Sequence, residues 1–398
     1  MHHPPTPASV LPMPSSRENP PAVAASLAPD WVFPFQRPLL PPVSSWEEDL
    51  RLAYAKRWFS NGGELSRRFE AELGERVGRP VVVCSNGTSA ISAALLALDL
   101  PPGGEVLLPA FTFPATLWAV VQAGLTPVLA DVDAVSWELS PETLNLAAAQ
   151  CSRLAAVLAV RTFGLCHDLS PLQDWCAARG LPLVIDAAAA LGGVLPDGTS
   201  AGGQGVMETF SLHATKPFAV GEGGAIACAP EYESALRRAL NFGLEQGELM
   251  RVGFNGKMSE FVAAVGLAQS RVIDAHLEVR RGAAARYARF FAQYASSWVL
   301  PVQPGSPPWQ SYAALAPSAQ AADRLEAAAA RQGVQLRRYY RPALHTAAVG
   351  AVYARCVLPV ADDLAARMVC FPLYSDMDAD VQERLFAALG RALKQAAA

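Results

Sequence analysis

Lys216 stands in the segment SLHATKPFAVGEGGAI (residues 211–226), just past an apolar run and just before a cluster of glycines. In a chain where only 17% of residues are charged, an ammonium in such a setting is either a loop lysine at the surface or a reactive amine. Desolvation would make it the latter by lowering its pKa. Asp186 follows the apolar run PLVI directly. It either caps the next helix or is a buried carboxylate that needs a cationic or donor partner. After VVVC comes SNGTSA, with Gly87, Thr88 and Ser89 opening a helix. That is a capped strand-to-helix turn or a cradle whose free amides and hydroxyls take a phosphate. It lacks the GxxxxGK[ST] pattern, so it does not point to ATP or GTP. Phe113, in FTFPAT, is a core aromatic or a plate for a flat ligand.

Taken together, these residues match the needs of pyridoxal 5'-phosphate. Its phosphate needs a cradle and its ring a stacking face. Its ring nitrogen must stay protonated to draw electrons, and its aldehyde needs a lysine.

The elements around these residues alternate. VVVCS, GEVLLPA, TPVLADV, LAAVLAV, PLVIDAA, ETFSL and GAIACA read as seven short strands, several separated by helical patterns such as TSAISAALLALDL and LSPLQDWCAARG. Short buried strands alternating with helices predict an α/β fold with a large, mostly parallel sheet covered on both faces. In such sheets ligands bind beyond the carboxyl ends of the strands, where the candidate residues fall. Two helices, WEEDLRLAYAKRWF and ELSRRFEAELGERVG, precede the sheet, joined by the turn Ser60–Gly63. AQSRVIDAHLEVRRGAAARYARFFAQYA predicts one long amphipathic helix, and DADVQERLFAALGRALKQ a final one. The expected organisation is a Pro-rich mobile tail over 1–28, a large α/β domain over 29–268 and a smaller α+β domain over 269–398.

Composition excludes several classes. The formal net charge of −4 gives no basic footprint for nucleic acid or an anionic membrane. Seven scattered cysteines with no CxxC pair argue for reduced thiols in a cytoplasmic protein, and against a disulfide framework or a metal site. No apolar run reaches membrane-spanning length, and the N-terminus has no signal-peptide pattern.

From about residue 35 onward the chain resembles the DegT/DnrJ/StrS family of nucleotide-sugar aminotransferases, within the fold type I pyridoxal-phosphate enzymes. The likeness rests on the order and spacing of WFSNGGELSRRFE, SNGTSA, PAFTFPAT, GLTPVLADVD, VLAVRTFG, VIDAAAALGG, FSLHATKPFAVGEGGAI, GFNGKMSEFVAAVGLAQ and LPVADDLAARMVCFPLY. It implies that Lys216 bonds the cofactor's aldehyde and later shuttles the proton. Asp186 would pair with the ring nitrogen and Phe113 stack on the ring. Thr88, Ser89 and Ser211 would hold the phosphate, with Gly87 shaping the turn and His213 supporting the lysine loop. Gly221, Gly223 and Gly224 would let the chain turn into AIACA. Asn255 would reach the phosphate in a second copy, which implies a homodimer with shared active sites.

The resemblance further implies transfer of the amino group of L-glutamate to a keto-sugar on a nucleoside diphosphate, here a dTDP-linked keto-6-deoxy sugar. Asn61, Arg161, Arg338, Tyr340 and His345 are its candidate contacts. Arg161 stands where the family has a histidine, and serves either a ligand or a structural acid. The basic run LRRYYRPALH is either a diphosphate site or a solvated edge. Ala189 stands where the family has Gln or His against the cofactor's ring hydroxyl. That departure keeps open a catalytically weak, cofactor- and sugar-binding regulatory homologue. A sugar dehydratase is the other alternative, disfavoured because its relatives replace the lysine with histidine.

Overall fold

The computed structural model describes residues 31–397, so the Pro-rich tail expected over 1–28 lies outside the described residues. Helix α1 (Glu47–Lys56) starts with three acids and ends on a lysine, matching the helix dipole at both ends. Helix α2 (Glu64–Val77) stops at Gly78, whose left-handed conformation turns the chain into the sheet.

The sheet has the seven expected strands: β1 (Val81–Cys84), β2 (Glu105–Pro109), β3 (Thr126–Ala130), β4 (Leu154–Val160), β5 (Leu183–Asp186), β6 (Met207–Ser211) and β7 (Gly224–Cys228). Their order is β1-β7-β6-β5-β4-β2-β3. Strand β7 runs antiparallel to both neighbours and the other pairs are parallel.

Each strand buries both faces, which is why it reads as an unbroken apolar run. In β1, Val82 and Cys84 join one core and Val81 and Val83 the other. Helices α3 (Gly87–Ala97) and α4 (Pro114–Gln122) cover the first face. Helices α5 (Pro141–Ala148) and α6 (Ser170–Ala177), with α2, cover the second. Helix α7 (Glu233–Leu240) returns to the first face. A small hairpin of β8 (Leu244–Glu245) and β9 (Glu248–Leu249) follows, then α8 (Glu260–Ser270) on the second face.

The expected single helix from Ala268 to Ala295 is instead two. Helix α8 ends at Ser270, the chain turns through Arg271 and Val272, whose φ widens to −119°, and α9 (Ile273–Tyr294) begins. The domain boundary drawn at 268/269 thus falls inside α8. Beyond α9, β10 (Tyr312–Leu315), α10 (Ala319–Arg331), α11 (Pro359–Arg367), β11 (Met368–Phe371) and α12 (Ala379–Ala397) complete the chain. Strands β10 and β11 pair antiparallel around a third core, where Tyr287 stacks on Tyr312 at 4.8 Å. No helix of the described residues is long and apolar enough to cross a membrane.

One buried acid fixes the entry into the sheet domain. The N-cap of α2 is Gly63, which has no side chain to offer. Glu260, at the start of α8 and 1% exposed, takes over. It accepts from the Leu65 amide (2.8 Å), the Ser66 amide (3.1 Å) and the Ser66 hydroxyl. Any side chain at position 63 would overlap that carboxylate. Glu260→Ala should therefore lower stability by about 1–3 kcal/mol, the cost of leaving buried donors unpaired. Urea unfolding should show a lower midpoint at unchanged slope. A shift below about 0.5 kcal/mol would match an ordinary surface substitution and contradict the capping role.

Candidate active site

The site forms where β1, β5, β6 and the loop after β6 end. Helix α3 starts at Gly87, with Asn86 as its N-cap accepting from the Ser89 amide (2.8 Å). The first intrahelical bond runs from Ala90 to Asn86, so the amides of Gly87 and Thr88 precede it and remain free for a ligand. Ser85 donates to the Ser89 hydroxyl at 3.1 Å, placing two hydroxyl groups at this terminus. Ser211, at the end of β6, closes the cradle: a Cβ at position 87 would lie 2.8 Å from the Ser211 Cβ. The glycine run holds the cradle from behind. Gly224 pairs with both Cys84 and Ser211, and any side chain there would overlap the Asn86 backbone carbonyl.

Asp186 ends β5, 5% exposed. Its Oδ2 accepts from the Thr116 hydroxyl (2.7 Å) and its Oδ1 from the Ala188 amide (3.1 Å). No cation of the described residues lies within ion-pair distance, and burial raises its pKa above the usual carboxylate value. Lys216 sits on the turn after β6, its amide donating to the His213 carbonyl (2.9 Å). Its Nζ donates to Gln310 Oε1 at 3.0 Å, and burial brings its pKa down to about 8, opposed by the charge of Asp186. His213 Nδ1 meets the Thr215 hydroxyl at 2.8 Å within the same turn.

Phe113 caps α4 and is 54% exposed, one turn before Thr116. Tyr340 packs beside it (6.5 Å) and stacks on Phe163 at 5.5 Å and 9°. Burial, and the charge of Asp186 among smaller contributions, push the Tyr340 phenol up. Ala189 lies under the turn that carries Phe163, since a Cβ at Gly164 would overlap the Ala189 carbonyl. Ala189 thus packs against the turn next to the stacked Phe163 and Tyr340.

Other candidates lie elsewhere. Arg161 turns away: it is 2% exposed, donates to Glu208 (3.2 Å) and the His167 carbonyl (2.7 Å), and is fixed by Gln204 (2.8 Å). Its structural acid is thus Glu208, which corrects the reading of Arg161 as a ligand contact. Arg338 is likewise committed, to Asp323 (2.6 Å), the Met368 carbonyl (2.9 Å) and the Ala366 carbonyl. His345 pairs with Asp362 at 2.9 Å. Asn255 is exposed on the strand-like segment bridged to Asn241. Asn61, left-handed at φ 62°, lines a separate cleft with Asn241 and Lys257. Thr116, Gln310 and Phe163 went unread. Thr116 was recoverable, three residues after Phe113 on one helix face. Gln310 lies 94 residues from Lys216 and gives no local signal.

The residues present fit pyridoxal phosphate. Free amides and hydroxyls await an anion, a buried carboxylate lacks its cation, and a desolvated lysine stands by. Fold and site define the class: a fold type I pyridoxal-phosphate-dependent transferase. The model of the DegT/DnrJ/EryC1/StrS aminotransferase family matches residues 45–390, and the chain belongs to that family. It is 32% identical to protein Rv3402c of Mycobacterium tuberculosis over 90% of each chain. It is 29% identical to the dTDP-4-amino-4,6-dideoxy-D-glucose transaminase of Shigella dysenteriae, over 89% of this chain and 97% of that one. The solved structure of DesI with its TDP-sugar product is similar at a TM-score of 0.82 and 30% identity, over 92% and 95% of the two chains.

Because the Lys216 amine has its pKa lowered to about 8, its neutral fraction rises with pH only up to that point. The rate at which cofactor-free protein takes up pyridoxal phosphate should climb about tenfold per pH unit below 8 and level off above it. Stopped-flow absorbance reads this directly. A rate still climbing tenfold per unit through pH 9.5 would mean an ordinary lysine.

Proposed function

We propose that this chain moves the amino group of L-glutamate to a keto-sugar carried on a nucleoside diphosphate, with a dTDP-linked keto-6-deoxy sugar as the acceptor. The observation that carries this reading is Lys216, desolvated beside the uncompensated carboxylate of Asp186. The names of the relatives support the sugar nucleotide, through a dTDP-amino-sugar transaminase and DesI with its TDP-sugar product.

Pyridoxal phosphate, when bound, supplies an aldehyde for the amino group and a ring that accepts the electron pair left on the donor's α-carbon. The chain does the rest. The amides of Gly87 and Thr88 and the hydroxyls of Thr88, Ser89 and Ser211 would hold the phosphate. Asp186, oriented by Thr116, would supply the negative charge that keeps a ring nitrogen protonated. Lys216 Nζ takes the proton from the donor's α-carbon and returns it as the amino group is handed on. Phe113 would offer its exposed face to one side of the ring.

The same reading makes the enzyme a homodimer. Phe242, Leu249, Met250 and Val252 are all exposed on and beside the hairpin that leads to Asn255. Such an apolar patch suits burial against a second copy, where Asn255 would reach the partner's cradle.

The test is the visible spectrum of the purified protein before and after L-glutamate. A yellow band that glutamate abolishes in favour of near-ultraviolet absorption is the expected result. Lys216→Ala should remove turnover entirely, a loss of at least about 10⁴-fold for an essential proton-transfer group. A yellow band that no amino donor moves would instead favour the regulatory, non-catalytic homologue.

A further inference from the structure

One turn beside the site is held by buried charged groups that take no direct part in the chemistry. Thr162, Phe163 and Gly164 form this turn after β4. The Arg161 amide donates to the Asp186 carbonyl at 2.9 Å, so the turn begins against the strand end that carries Asp186. Phe163 is buried and left-handed at φ 57°. Bulky residues rarely take that conformation, which persists only where the surroundings fix it. Tyr340 stacks on the Phe163 ring and packs beside Phe113.

Glu138, 2% exposed in the loop after β3, supplies the fixing group. Its Oε1 accepts from the Thr162 amide (3.1 Å), and the Thr162 hydroxyl donates to the neighbouring Trp137 carbonyl (2.9 Å). Its Oε2 faces His167 Nδ1 at 3.1 Å, and neither atom has another partner among the described residues. The other ring nitrogen of His167, Nε2, meets the Val302 carbonyl at 3.0 Å. Carbonyl and carboxylate oxygens only accept, so an imidazole between them needs a proton on both nitrogens.

Charge balance agrees. Arg161 pairs with Glu208 and donates to the His167 carbonyl. A protonated His167 then leaves two cations against two carboxylates, which suits a buried cluster. Burial opposes the charged ring and Arg161 repels it, but the Glu138 contact prevails and holds the His167 pKa above its ordinary value. The remaining neighbours leave that balance intact. Burial keeps the Cys166 thiol neutral, pushing it up to about 12. Asp168 is committed to Ser170 and Gln204, and Asp133 to the Val135 and Ser136 amides.

We propose that Glu138 and His167 are a positioning pair, an ionic latch that holds the Thr162–Gly164 turn and thereby keeps Phe163 and Tyr340 in place as one wall of the active site. Neither side chain touches the reacting atoms, so the latch serves amino transfer whichever donor and acceptor the enzyme takes. Its pH dependence has a definite sign. The latch is complete below the ordinary histidine pKa of 6.5 and is lost as pH rises through the higher folded value. Because Val302 retains the proton on Nε2, the one that leaves is on Nδ1. A lone pair then faces the Glu138 carboxylate, and the turn loosens.

The test is an NMR titration of the pyridoxal-phosphate-loaded enzyme, labelled at histidine, threonine and tyrosine, from about pH 5.5 to 9.5. His167→Gln and Tyr340→Phe identify the two ring signals. In the wild type, His167 should titrate above 6.5. The Tyr340 ring signal, shifted by the stacked Phe163, should step at the same pH, and hydrogen-exchange protection of the Thr162 amide should fall there. In Glu138→Gln, which keeps an acceptor for Thr162 but removes the charge, the His167 midpoint should drop by about 1–3 pH units. Thr162 protection at low pH should be about 3- to 10-fold weaker, and the Tyr340 step should vanish from its wild-type position.

If Glu138→Gln does not fold, the wild-type titration decides. A His167 midpoint at or below 6.5 would overturn the latch. So would a Tyr340 signal and a Thr162 amide that ignore the titration of His167, since the pair would then be ordinary core structure. A folded Glu138→Gln that keeps the wild-type midpoint and step would overturn it as well.

Discussion

The site depends on one uncompensated charge. Asp186 ends a central strand in the interior, with two hydrogen-bond donors but, among the described residues, no cation in ion-pair contact. A carboxylate so placed either protonates or waits for a positive partner. Lys216 feels that charge, but its own burial pulls it toward the neutral amine. The two groups thus sit near each other without forming an ion pair, and the space they share calls for a ligand that is cationic at one atom and electrophilic at another. Pyridoxal phosphate meets both demands.

The fold serves that arrangement. Parallel strands bring the ends of β5 and β6 to one edge of the sheet, and β1 comes alongside through the antiparallel β7. The glycine at position 224 lets the N-terminus of α3 approach β6 closely enough for the cradle to close on Ser211. Two other buried charges are neutralised within the protein: Arg161 by Glu208, and Arg338 by Asp323. Asp186 is the exception at this site, near Lys216 but not in ion-pair contact with it.

Much of this was legible in the sequence, for local reasons. Seven apolar runs gave seven strands because each is buried on both faces. Lys216, Asp186 and the SNGTSA turn were legible because each follows a strand directly, where a parallel sheet puts its ligands. What failed to show was set by distance or by direction. Gln310 comes to the lysine from the second half of the chain, beyond the reach of any local pattern. Arg161 follows a strand as Asp186 does, and only the folded register turns it toward Glu208, two strands away. Glu208 was the overlooked clue: a lone acid inside the apolar run METFS needs an internal cation. The break between α8 and α9 was hidden because apolar residues keep helical spacing on both sides of Val272.

The central claim is that Asp186 holds a protonated ring nitrogen, and nitrogen-15 NMR of enzyme loaded with ring-labelled pyridoxal phosphate tests it most directly. A pyridinium chemical shift is expected in the wild type across pH 6 to 9, moving to that of an unprotonated pyridine in Asp186→Ala. An unprotonated ring nitrogen in the wild type, or one equally protonated without Asp186, would contradict it.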